Sequence, residues 1–172
     1  MEREGGPSRP TSRVKMQAAI LTAARMHTVE RSALVHYPAQ QMYSLVEDIE
    51  SYPLFLPWCS GTEVHERDEA RTVATIHVDY HGLRQRFTTE NAKVPGRSID
   101  MRLVEGPFSA LDGLWTFKPL DDENCKVELR LSYKLAHPLL ERLGGPVFNY
   151  IANTFVDAFV KRADALYGAA RR

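Results

Sequence analysis

His77 and His81 stand four residues apart, with His65, Asp79 and Glu90 close by in the sequence, and imidazole with carboxylate is the donor set of a zinc-type site. Four-residue spacing brings ligands together on a helix. Here Ala74 to Tyr80 alternates as a strand does and His81-Gly82 reads as a tight turn. On an extended strand residues four apart are separated by about 13 Å, so no metal site is expected. Nothing in the chain has the form of a nucleophile elbow, a P-loop, a dinucleotide fingerprint or a helical zinc motif. No carboxylate or histidine stands alone in apolar surroundings that would tune its pKa, so no catalytic residue is assigned and no cofactor is required. Arg84, Arg86, Thr88 and Glu90 line one face of a strand, with Phe87 opposite. They read as a solvated outer face, or as the polar end of a cavity or a patch for RNA.

What remains is apolar chemistry. Tyr52, Leu54, Phe55, Leu56 and Trp58 crowd around Pro53 and Pro57; Phe108 and Leu111 lie between Gly106 and Gly113, just before Trp115. Near the C-terminus Val147, Phe148, Ile151, Ala152, Phe155 and Phe159 fall on one broad helical face. Such stripes are ordinarily core. The functional reading is an apolar cavity between a sheet and this helix, with Tyr52, Phe55 and Trp58 at one mouth, Phe108, Leu111 and Trp115 at another, and Leu56 as a further pocket or mouth position. Val147, Ile151, Phe155 and Phe159 would supply its helical wall. The Gly106 to Gly113 segment reads equally as a lid and as a structural hairpin with Phe108 tucked inward.

The elements that must position these groups follow from periodicity. Thr28 to Tyr37 alternates as a strand, and Pro38 suits a helical first turn. Met42, Leu45, Val46 and Ile49 form one apolar helical stripe, which Pro53 and Pro57 cut short. From Gly61 to Leu135 the pattern is all strand, clearest where Cys125, Val127, Leu129, Leu131, Tyr133 and Leu135 oppose Lys126, Glu128, Arg130, Ser132 and Lys134. Pro138 opens a last helix running to about Tyr167, on the order of 45 Å long, with Gly144-Gly145-Pro146 expected to kink or restart it. The fold class is α+β.

At 172 residues the chain is large enough for one core without disulfides or metal. Its 22 basic and 22 acidic residues cancel, but residues 1–25 carry five basic groups against two acidic, leaving 17 against 20 in the remainder. A weakly acidic body argues against DNA as a partner and confines any RNA contact to a local patch. Cys59 and Cys125 read as reduced packing residues. No run approaches the roughly 18 apolar residues that span a bilayer. Residues 1–25, with Gly5, Gly6, Pro7 and Pro10, read as a disordered leader: a tag, an upstream start ahead of Met26, or a targeting segment. The domain is expected over residues 26–168 and a tail over 169–172.

Three segments carry a resemblance: Tyr43 to Cys59, Gly106 to Leu120 and Phe155 to Ala163. They resemble the coenzyme Q-binding START-like family of the polyketide cyclase/dehydrase superfamily, whose bacterial members include the ribosome association toxin. Three ordered motifs over about residues 26–168 are far less expected by chance than one. The resemblance implies a helix-grip fold: a curved antiparallel sheet of about six or seven strands around a long C-terminal helix, with short helices after the first strand. It also implies a hydrophobic pocket for a ubiquinone-like isoprenoid lipid, held without catalysis as a chaperone or carrier supporting respiration. The alternative it implies is a toxin that binds the large ribosomal subunit and inhibits translation initiation; relatives that are cyclases or hydrolases make a remoter third. The expected location is cytoplasmic, with peripheral contact at the inner membrane, or the matrix side of that membrane in a mitochondrion.

Overall fold

A computed structural model of the chain describes residues 25–171, so all but Arg25 of the expected leader lies outside the described residues. Strand β1 (Met26–Val35) is followed by helix α1 (Ala39–Glu47) and a 3₁₀ segment (Ile49–Leu54). Strands β2 (Cys59–Arg67), β3 (Arg71–Tyr80), β4 (Leu83–Val94), β5 (Ser98–Glu105), β6 (Phe108–Pro119) and β7 (Cys125–Leu135) come next. Helix α2 (Pro138–Tyr167) and a 3₁₀ turn (Gly168–Arg171) close the described chain; that turn takes up most of the expected tail. The sheet order is β1-β7-β6-β5-β4-β3-β2, antiparallel throughout.

Six strands thus follow one another as a meander, and β1 joins the far edge by pairing with β7. The chain between β1 and β2 must cross the whole sheet. It does so as α1 and the 3₁₀ segment, which lie on the same face as α2 and help it cover the sheet: the helix-grip arrangement. α1 buries Met42, Tyr43, Leu45 and Val46, so the expected stripe is present with Tyr43 added.

The turns follow their residue types. His81 and Gly82 both have positive φ (49° and 79°), which gives the β3–β4 hairpin a type I′ turn matched to strand twist. At Val94–Arg97, Pro95 presets the first central φ and Gly96 takes φ 72°, closing with the Arg97 N–H donating to Val94 O at 2.9 Å. β7 alternates as read, with Cys125, Val127, Leu129, Tyr133 and Leu135 buried. α2 is one helix from end to end. Gly144-Gly145-Pro146 does not restart it, because Pro146 forfeits a single backbone bond while the flanking turns stay packed on the sheet. His137 caps it, its Nδ1 accepting from the Leu139 N–H at 3.1 Å.

Buried apolar residues form two clusters. The larger lies beneath α1, the 3₁₀ segment and the C-terminal half of α2; the smaller, with Val29, Phe108, Tyr133, Leu135, Phe148 and Ala152, lies under its N-terminal half.

Candidate functional site

Between the two clusters the packing is incomplete. An almost wholly apolar cavity of about 80 Å³ lies between α2 and the concave face of the sheet. Ala74 on β3 and Ala152 on α2, 2% and 1% exposed, each offer only a methyl group to this gap.

Six of the expected residues stand on its wall: Tyr52, Trp58, Phe108, Leu111, Ile151 and Phe155. Five do not. On α2 the wall positions are Phe148, Ile151, Ala152 and Phe155, a spacing of i, i+3, i+4 and i+7. Val147 is rotated off that stripe and half-buried beside it. Phe159 continues the stripe but lies one turn beyond the cavity, fully buried against Tyr52, Phe55 and Trp115. Trp115 is fully buried in the larger cluster, stacked on Phe117. Leu56 is core, and Phe55 is half-buried against Tyr52 and Phe159; both border a separate groove.

Tyr52 is held from two sides. Its hydroxyl donates to Val46 O at 2.5 Å, satisfying a carbonyl of the last turn of α1 that lacks a helical partner, and its ring meets Phe55, Phe155 and Phe159 edge-on. Burial raises its pKa, with Glu47 adding to the shift. Tyr133 reaches the wall from β7, stacked on His27 at 4.9 Å. Burial, and then the charge of Glu141, push its pKa up to about 12; its hydroxyl has no partner among the described residues.

Sequence reading missed the floor supplied by β4. Phe87, Thr89 and Asn91 face the cavity, with Thr89 Oγ1 donating to Asn91 Oδ1 at 2.9 Å. The signal was there: these residues alternate with the polar face of Arg84, Arg86, Thr88 and Glu90 and must point the other way. Lys93 continues the inward row. Its side chain is 3% exposed and its ammonium meets Glu47 Oε1 at 2.6 Å; the same oxygen accepts from Thr72 Oγ1 at 3.1 Å and lies 3.2 Å from Arg67 Nε. This buried pair anchors α1 to the sheet beside the cavity.

The Gly106 to Gly113 segment is mostly strand, with only Gly106 and Pro107 outside β5 and β6. Phe108 is tucked inward, 8% exposed, with rings of Phe87, Tyr133 and Phe148 around it. Gly106 (φ 154°) is required at this hairpin, since a Cβ there would stand 2.6 Å from Phe87 Cβ. The hairpin reading therefore replaces the lid.

On the opposite face Arg84 reaches Asp79 at 3.3 Å, Glu90 pairs with Arg71, and Thr88 shares a hydrogen bond of 2.6 Å with Thr75. His77 meets Glu63 and His65 meets Thr75; among the described residues no three His, Cys, Asp or Glu side chains converge as metal ligands. Cys59 and Cys125 are free and buried, and burial pushes both thiols up to about 11. Among the described residues no helix is long and apolar enough to cross a membrane.

Comparison with known proteins adds three findings. The family described as polyketide cyclase / dehydrase and lipid transport matches residues 35–160. The chain is 49% identical to the ribosome association toxin RatA of Pseudomonas aeruginosa over 81% of this chain and 97% of that one. It is 42% identical to RatA of Escherichia coli over 84% and 91%. A more distant relative, at 25% over 88% and 64%, is the coenzyme Q-binding protein COQ10 homolog B of Xenopus laevis. Among solved structures, the Zhui aromatase/cyclase of Streptomyces sp. R1128 superposes with a TM-score of 0.68, at 24% identity over 81% of this chain and 94% of that one; this likeness concerns the fold.

Proposed function

We propose, for a chain that belongs to the polyketide cyclase/dehydrase and lipid transport family, that it acts by associating with the large ribosomal subunit and inhibiting translation initiation. The observation that carries this reading is 49% identity to a ribosome association toxin across 97% of that protein's length. It reverses the order suggested by sequence, where lipid carriage came first. The outward face of β4, with Arg84 and Arg86 exposed at a sheet surface of mixed charge, is the contact we assign to ribosomal RNA. The test is sedimentation with separated ribosomal subunits. The protein should travel with the large subunit, reduce its joining with the small one, and lose both properties on Arg84→Glu with Arg86→Glu. A protein that stays at the top of the gradient at low salt would overturn the proposal.

A second reading, a protein that holds an isoprenoid or similar lipid without transforming it, is supported by the apolar cavity and by the more distant coenzyme Q-binding relative. The cavity wall carries no Asp, Glu, His, Lys or Cys, and its two tyrosines ionise only far above neutrality. Both tyrosines therefore stay protonated at neutral pH and no general base faces the cavity, which favours binding over catalysis. Size decides the mode of binding. A cavity of about 80 Å³ is smaller than the roughly 150 Å³ that accepts benzene, so a quinone ring enters only if the wall opens. Native mass spectrometry of protein from its own host tests this reading; lipid-free protein throughout would end it.

A further inference from the structure

One residue, Trp58, is common to the walls of the interior cavity and of a second hollow. Trp58, 3% exposed, lines the cavity on one side; on the other it lines a surface groove of about 540 Å³ between the Leu54–Trp58 segment and the C-terminal half of α2. The cavity alone is far below the range of about 300–1,000 Å³ found for small-molecule sites, whereas the groove lies within it.

The groove has an apolar wall and a cationic end. Phe55 forms part of the wall, and Leu54 stands at the rim, 73% exposed. Lys161 and Arg162 project from α2, and neither forms an ion pair among the described residues. The Arg162 guanidinium lies 5.2 Å above the Phe55 ring, and its Nε is buried without a hydrogen-bond partner. Asp157 is the one acidic group lining the groove, leaving a net positive charge. A buried charged donor without an acceptor is costly, and an incoming carboxylate oxygen would satisfy it.

We infer that this groove is the portal and head-group site for a single-chain amphiphile with an acidic head of the fatty-acid class. Its carboxylate is held by Arg162 and Lys161, and its chain runs along Phe55 and passes into the cavity when Trp58 swings aside. This rests on the lipid-holding reading and deepens it by naming the portal and the charge of the ligand. A neutral quinone head would accept from Arg162 through a carbonyl oxygen but would leave the net positive charge of the groove uncompensated. An RNA base stacked on Phe55 would use the same cation but would have no use for the cavity behind Trp58.

The experiment uses the Trp115→Phe protein, in which Trp58 is the sole remaining indole of the chain's two. Dodecanoate brominated near its tail is titrated against tryptophan emission, with dodecanol, decylubiquinone and a short oligoribonucleotide as competitors. The expected result is saturable quenching, weakened about tenfold or more by Lys161→Glu with Arg162→Glu, while dodecanol binding is unchanged. Leu54→Glu, at a position too exposed to disturb the fold, should weaken dodecanoate in the same direction. Three results would overturn the inference: decylubiquinone binding as tightly and without regard to the charge reversal, displacement of dodecanoate by the oligoribonucleotide, or binding without quenching of Trp58. The first of these would leave the lipid-holding reading standing, whereas absence of any lipid binding would remove both.

Discussion

Filling the cavity separates a functional void from a packing defect. Ala152 lies on its helical wall, 1% exposed, and Ala152→Leu sends a branched side chain into the gap while keeping a good helix former. Stability rises with cavity volume removed by about 24 cal/mol per Å³, so closing 80 Å³ yields at most about 2 kcal/mol. In a chain of this length that is a rise in Tm of about 4–8 °C. The measurement is calorimetry on delipidated protein, since bound lipid would itself raise Tm. Xenon titration followed by NMR reports the void directly, because dry apolar cavities take up xenon. The expected pattern is a higher Tm with loss of both the xenon response and lipid uptake. Ribosome association, assigned to the opposite face of the sheet, should be unchanged. A lower Tm with the xenon response retained would mean that Leu is overpacked against neighbours already in contact, and that no usable void exists at this point.

Other perturbations have equally definite outcomes. Lys93→Met removes one partner of Glu47 and leaves it Thr72 and Arg67; losing a hydrogen bond between charged groups costs about 1.5–3 kcal/mol, read as a lower urea midpoint. A midpoint within error of the parent would show that the pair does not anchor α1. Tyr133→Phe removes a buried hydroxyl that has no partner, so stability at neutral pH should hold or rise by about 1 kcal/mol. The sign with pH follows from the raised pKa: the folded state keeps Tyr133 neutral, so the parent loses stability as pH climbs from about 10 to about 12, and Tyr133→Phe should lose less. Equal alkaline losses in the two proteins would refute that assignment. Phe108→Ser removes a ring packed among three others and should cost about 3 kcal/mol or more by chemical denaturation; an unchanged midpoint would restore the mobile-lid reading.

Strand and helix positions were legible wherever one face is wet and the other dry. The alternation of Cys125 to Leu135 named both faces of β7, and Pro138 marked the start of α2, because local geometry forces period-two and period-3.6 patterns to declare which side is buried. The His81-Gly82 turn was equally readable, since few residues accept positive φ in succession. The site was harder. Tyr52, Trp58 and Phe159 are alike as buried aromatic residues, with Phe155 partly buried beside them, yet Phe159 alone of the four does not line the cavity.

Composition and periodicity thus determined the strands, the helices, the burying faces and the absence of a motif for catalysis. The placing of Ala74 and Ala152 around one gap, the inward turn of Phe108, the sharing of Trp58 between cavity and groove and the opposite faces of β4 given to cavity and solvent were decided by tertiary structure. The physical reason is that burial is a property of one side chain and its strand or helix, readable along the chain. A void is a property of the distance between side chains far apart in sequence, and it exists only once the sheet has curved around the helix.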